Sequence, residues 1–278
     1  MSPEISDRIG SVPVTGAQLG YRIRRAGEGG MRRVVVMHGF TRTGDAQWGP
    51  EATAFLADAL GPHELLIPDM RGHGRSPIDA REAAGGLPHP QIGRDLESVV
   101  DALRFDPAHF IGFSSGGIGM LYLVLRRPDL FLSLTLIATS YRMGEQGTRE
   151  VLRMRGSRDE PWYPEMVAEL DAIHREGQGP GHGERVLDMW AHYATPPRDP
   201  DITVEQLRTI RVPTLIVHGD RDRFFPVCDA EVMAREMREA ELCVLPRCGH
   251  MIRDRHARRM MEMAIVGFLE RQGAGDER

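Results

Sequence analysis

There is no lysine in this chain of 278 residues and no asparagine; all 35 basic residues are arginine. Without lysine, Schiff-base chemistry and a P-loop lysine are excluded. Without asparagine there is no N-glycosylation acceptor and no asparagine member of a catalytic triad. A GC-rich coding genome accounts for both absences more simply than any function does. Cysteine is scarce. Cys228, Cys243 and Cys248 form no Cys-x-x-Cys, and an odd number closes no disulfide framework, so they read as structural thiols. The eleven histidines contain no His-Glu-x-x-His or comparable cluster, which argues against a metal site. No apolar run approaches the length of a membrane span. The opening Met1-Ser2-Pro3-Glu4-Ile5-Ser6-Asp7 lacks the basic and apolar regions of a signal peptide, so a cytoplasmic location is expected. The formal charge of −5 offers no general attraction to nucleic acid or an anionic membrane.

What is present reads as alternating strands and helices. Residues 11–27 suggest an opening strand pair turning at Gly16. Arg33–Met37, Leu65–Pro68, Phe110–Phe113, Leu134–Ala138, Pro213–Val217 and Leu242–Leu245 are short, near-continuous apolar runs, as buried parallel strands require. Helices are expected at 51–60, at 116–127 and at 227–240. Ile92, Leu96, Val99, Val100 and Leu103 fall at helical spacing, as do Ala257, Met260, Met261, Ala264, Ile265, Phe268 and Leu269. Residues 81–90 read as a Gly/Pro-rich surface loop. No strand-like run appears over 141–203, which contains helical pieces, the glycine-rich stretch 177–183 and Pro196-Pro197. The expected architecture is therefore α/β: a mostly parallel, doubly covered sheet formed by 1–140 and 204–278, with 141–203 inserted as a helical cap. Sites in such sheets lie at the carboxyl ends of strands.

At one strand end stands Gly112-Phe113-Ser114-Ser115-Gly116. A Gly-x-Ser-x-Gly between strand and helix pushes the serine hydroxyl out over the sheet end, and a Cβ at either glycine would collide as strand and helix cross. Ser115 fails the pattern, since Phe113 occupies its first glycine position. Serine needs a base, and the base needs an acid to fix its tautomer. Asp222 and then His250 follow Ser114 in the chain order that this turn requires, each at an expected strand end. Asp220 is the alternative acid, and a helix N-cap is the alternative role for Ser114.

Together with His38-Gly39-Phe40, Asp69-x-Arg71-Gly72-x-Gly74-x-Ser76, Gly219-x-x-Asp222-x-x-x-Pro226 and Gly249-His250, these motifs resemble those of the α/β-hydrolase superfamily over residues 10–140 and 204–272. The resemblance implies Ser114, Asp222 and His250 as the catalytic residues. It also implies an oxyanion hole from the backbone N–H groups of Phe40 and Ser115, and a structural role for Asp69, Arg71 and His73. No cofactor is implied, and a small-molecule substrate is the only expected partner. A serine hydrolase is expected, acting on an ester, lactone or thioester, with activity rising as one histidine base loses its proton near pH 6–7. The serine argues against epoxide hydrolases and haloalkane dehalogenases, which use aspartate at this turn. Perhydrolases or haloperoxidases without cofactor, C–C bond hydrolases and a ligand receptor built on the same fold remain alternatives.

Trp162, Tyr163, Trp190 and Tyr193, with Met143, Met154, Met166 and Met189, supply the insertion with apolar, adaptable surface. Either they pack the cap onto the core or they receive a medium-sized apolar or aromatic acyl compound. His174, His182 and His192 lie in the same segment as candidates to touch substrate. His38 and His218 read as structural, while His63, His73, His89, His109 and His256 read as loop or surface residues. The arginine pairs 24–25, 32–33 and 258–259 read as solvated faces.

Overall fold

The computed structural model describes residues 5–195 and 199–273; Met1–Glu4 and the Pro196-Pro197 pair lie outside the described residues. The strands are Ile5–Val14 (β1), Ala17–Ala26 (β2), Arg32–Met37 (β3), His63–Pro68 (β4), Ala108–Phe113 (β5), Phe131–Ile137 (β6), Thr214–Gly219 (β7) and Ala240–Leu245 (β8). They form an eight-stranded sheet in the order β1-β2-β4-β3-β5-β6-β7-β8. β1 and β2 pair antiparallel through a turn at Gly16 (φ +76°), and β2 pairs antiparallel with β4. The remaining pairs are parallel.

The strand period of two divides each run between two cores. Val35, Met37, Phe110, Leu134, Leu136 and Ile216 face one side, against the helices His89–Leu103, Ser115–Arg126 and Val227–Glu236. Val34, Val36, Ile111, Phe113, Leu215 and Val217 face the other, against Leu56–Leu60 and Arg255–Gly273. Continuous apolar runs are needed because both faces are buried.

Several local expectations are corrected. The helix expected at 51–60 is two short ones, Pro50–Thr53 and Leu56–Leu60. The stretch 81–90 is not a surface loop. Asp79 caps a helix Ala80–Ala84 by accepting the Glu82 N–H, and Leu87 and His89 are buried. His63, His73 and His109 are also buried, whereas His256 is exposed. Arg24 is buried, donating to the Trp48 carbonyl at 3.1 Å.

Between β6 and β7 the regular elements among the described residues are helical: Glu145–Arg155, Tyr163–Gln178, Gly183–Ala191, His192–Ala194 and Val204–Leu207. Imidazoles dock them on the loop after β4. His174 Nδ1 accepts the Gly74 N–H at 3.1 Å, and His182 Nε2 donates to the Gly72 carbonyl at 2.8 Å. The rings of His38, His73, His174 and His182 succeed one another at centroid distances of 5.4, 5.2 and 6.0 Å. The glycine-rich stretch 177–183 begins inside a helix. There Gly177 lies so close to Gly74 that a Cβ would come within 2.0 Å of its carbonyl oxygen, and Gln178 donates to the Ser76 carbonyl. No helix among the described residues is long and apolar enough to cross a membrane.

The histidine series makes the fold acid-sensitive. Burial lowers His38 from 6.5 to about 4 and His73 to about 3, and it lowers His174 and His182 as well. Below pH 6.5 the unfolded chain therefore binds protons that the folded chain refuses, and stability falls as pH falls. Asp69, raised to about 6 by burial, opposes this with one group. Urea unfolding at pH 7.5, 6 and 5 is expected to give a midpoint that drops steadily, and less steeply in His174→Gln. A midpoint that is flat or rises toward pH 5 contradicts the account.

Candidate functional site

β5 runs into the helix Ser115–Arg126 through Ser114, whose backbone sits at φ +50°, ψ −122°. That conformation is sterically costly for a side-chain-bearing residue, by about 1–3 kcal/mol. It is held by Ser114 N–H donating to the Ile137 carbonyl at 2.8 Å and Ile118 N–H donating to the Ser114 carbonyl at 2.9 Å. It also requires close approach. A Cβ on Gly112 would lie 2.5 Å from Gly117 Cα, and one on Gly116 would lie 2.6 Å from the His38 carbonyl oxygen. Ser114 occupies the N-cap position, but its side chain makes no capping hydrogen bond. Its Oγ lies 3.0 Å from His250 Nε2 instead.

His250 follows β8, with its ring packed among Phe113, Phe224 and Phe225. Its Nδ1 lies 2.7 Å from Asp222 Oδ2. Asp222 follows β7, and its Oδ1 accepts the N–H groups of Phe224 and Phe225 at 2.8 and 3.1 Å. Burial pushes this carboxyl up, but the His250 ring, its hydrogen bond and the Phe225 N–H outweigh burial and hold it below its ordinary value. Asp222 is therefore a carboxylate at neutral pH. Asp220 is exposed, and its carboxylate accepts the Cys248 N–H rather than facing His250. Metal-holding groups of three or more His, Cys, Asp or Glu are absent among the described residues.

The turn at 38–40 is pinned beside Ser114. His38 Nδ1 donates to the Gly39 carbonyl at 2.8 Å, and its Nε2 accepts the Met70 N–H at 2.9 Å. Gly39 N–H donates to Gln47 Oε1 at 2.8 Å, and the Phe40 carbonyl meets His73 Nε2. Phe40 and Ser115 line the same cavity as Ser114. Ser115 opens its helix, where the first N–H groups have no intrahelical acceptor.

That cavity, of about 210 Å³, is walled by Phe40, Phe113, Met143, Val151, Met154, Met166, Leu170, Trp190, Tyr193, Phe224 and Phe225, and His250 also lines it. Trp190 and Tyr193 thus stand where substrate-touching residues were expected. Trp162 and Tyr163 do not. Trp162 is 36% exposed, and Tyr163 packs with Leu170 and Leu187 inside the insertion. His174 and His182 are spent on the docking loop, and Met189 reaches Gly72. His89, Arg42, Glu150, Glu169, Phe224 and Phe225 also line the cavity without having been singled out for it. Nothing in the spacing around residue 89 marked it, because a Gly/Pro-rich stretch reads as surface.

Fold and site together define an α/β-hydrolase. A model of the Alpha/beta hydrolase family matches residues 34–262, and the chain belongs to that family. It is 25% identical to the serine hydrolase BPHL of Mus musculus over 250 residues, covering 88% of this chain and 81% of that one. It is 25% identical to a 2-hydroxymuconate semialdehyde hydrolase of Pseudomonas putida over 290 residues, covering 96% and 95%. The crystal structure of the enol-lactonase from Burkholderia xenovorans is similar in fold, with a TM-score of 0.69 at 21% identity, covering 94% and 99%.

The close crossing predicts a sharp contrast among glycines. Gly116→Ala must displace backbone and is expected to lower the thermal midpoint by several degrees or prevent folding. Gly30→Ala, where an added Cβ meets nothing within 4 Å, is expected to change it by about 1 °C or less. Thermal melts followed by circular dichroism compare the two. Equal midpoints contradict the close crossing.

Proposed function

We propose that the chain is a serine hydrolase cleaving an ester, lactone or thioester of a small apolar or aromatic molecule through an acyl-enzyme. The supporting observation is the line of hydrogen bonds from Ser114 Oγ through His250 to Asp222, opening into an apolar cavity. Ser114 Oγ attacks the carbonyl carbon as its proton passes to His250 Nε2. Asp222 keeps the other ring proton on Nδ1 and stabilises the imidazolium. The oxyanion rests on the amides of Phe40 and Ser115; one such donor typically contributes about 3 kcal/mol. Collapse breaks the bond to the leaving group, which takes the proton from His250. Water, deprotonated by the same ring, then releases the acid and restores Ser114.

The likeness to a 2-hydroxymuconate semialdehyde hydrolase favours a second reading, hydrolysis of a C–C bond at the same serine. 2-Hydroxymuconate semialdehyde is its test substrate.

Steady-state kinetics on a panel of short esters, lactones and thioesters test the proposal. Ser114→Ala is expected to lose turnover by about 10⁴-fold or more, and Asp222→Asn by about 10⁴-fold. Asp220→Asn should lose less than about tenfold, because its carboxylate does not face the imidazole. Full turnover by Ser114→Ala on every active substrate overturns the mechanism.

A further inference from the structure

We propose that His89 is a buried hydrogen-bond acceptor for the substrate, selecting molecules that carry a hydroxyl group away from the scissile carbonyl. This deepens the serine-hydrolase reading and rests on it. His89 opens the helix His89–Leu103, lines the cavity that holds Ser114, and is only 1% exposed. Among the described residues neither of its ring nitrogens has a hydrogen-bond partner. A buried polar atom left in that state costs about 1–3 kcal/mol. Such a cost is recovered when a ligand supplies the missing partner.

The ring has no freedom to find one elsewhere. It is stacked on Tyr193 with centroids 4.1 Å apart and planes 18° from parallel. Tyr193 is itself fixed, its hydroxyl donating to the Leu87 carbonyl at 2.6 Å and its ring edge-on to Phe40. On the far side, His89 Nδ1 lies 3.0 Å from Asp199 Oδ2. This is a charge contact without hydrogen-bond alignment, and the same oxygen accepts the His89 backbone N–H. The carboxylate nevertheless decides the tautomer: the ring proton is favoured on Nδ1, next to negative charge. Nε2 is then left with a lone pair, so the group it lacks is a donor.

Two other polar pairs at the cavity are already formed. Arg42 pairs with Glu169 at 2.8 Å, and Glu150 with Arg153 at 2.8 Å. In a mostly apolar wall, an immobile acceptor discriminates by leaving itself unpaired with the wrong substrate, which favours the hydroxylated one. The hydroxyl is bound and not consumed; Ser114 performs the bond cleavage.

Matched substrates test this. Methyl 6-hydroxyhexanoate is compared with methyl hexanoate, and 4-hydroxybutyl acetate with pentyl acetate, so that a hydroxyl on either side of the ester is sampled. The wild-type enzyme is expected to favour the hydroxylated member of at least one pair by tenfold or more in kcat/KM. In His89→Phe that ratio should fall to about one, and His89→Gln, whose carbonyl also accepts, should restore part of it. A merely structural role would lower both members alike and leave the ratio unchanged. Turnover of both pairs with no hydroxyl preference overturns the His89 proposal and leaves the serine-hydrolase reading standing. The same holds for a stronger preference for monomethyl adipate, which would require His89 to be a donor. Ser114-independent turnover overturns the underlying reading and His89 with it.

Discussion

At Gly112 and Gly116 two backbones approach more closely than a methyl group permits. This contact lets β5 turn into a helix within one residue. That residue, Ser114, takes up a strained backbone whose cost the surrounding hydrogen bonds and packing hold in place. Because Gly116 is pressed against the His38 carbonyl, the same contact sets the position of the turn at 38–40 beside the serine. The serine and the turn are therefore placed by one packing constraint rather than by two independent ones.

Buried imidazoles extend that constraint outward. His38 ties the turn to Met70 after β4, His73 ties Phe40 to the same loop, and His174 and His182 carry the series into the inserted helices. The inserted helices, which supply part of the cavity wall, are thus held to the loop after β4 by polar contacts made through neutral rings. His250 is set apart from these histidines by its partner. Asp222, kept ionised by the His250 ring and by backbone N–H groups, faces it from the end of the neighbouring strand. The imidazoles of the docking series face backbone carbonyls, N–H groups and each other.

The sheet was legible in the residues because parallel strands buried on both faces leave continuous apolar runs, and Val34–Met37 and Phe110–Phe113 are such runs. The hydrogen-bonded line of Ser114, His250 and Asp222 was legible because each follows a strand and their chain order is restricted. The loop after β4 was legible as a buttress but not as a dock for the insertion, since the partners His174 and His182 come 100 or more residues later. His89 was missed because glycine and proline at 85–90 look like surface. In the folded chain Leu87 is buried, so the residue beside it is carried inward. Trp162 and Tyr163 were indistinguishable from Trp190 and Tyr193 by composition. Only the direction in which each helix presents its side chains separates the exposed Trp162 and the packed Tyr163 from the two that face the cavity.

The proposed mechanism requires that the hydroxyl exposed by this strained turn form the covalent bond to substrate. Rapid acid quenching during turnover of 4-nitrophenyl acetate, followed by peptide mass spectrometry, measures it directly. An acetyl group is expected on Ser114, appearing with the burst of 4-nitrophenol and decaying at the rate of turnover. Acetylation on Ser115 or Cys228 at that rate, or full turnover with Ser114 unmodified throughout, would contradict it.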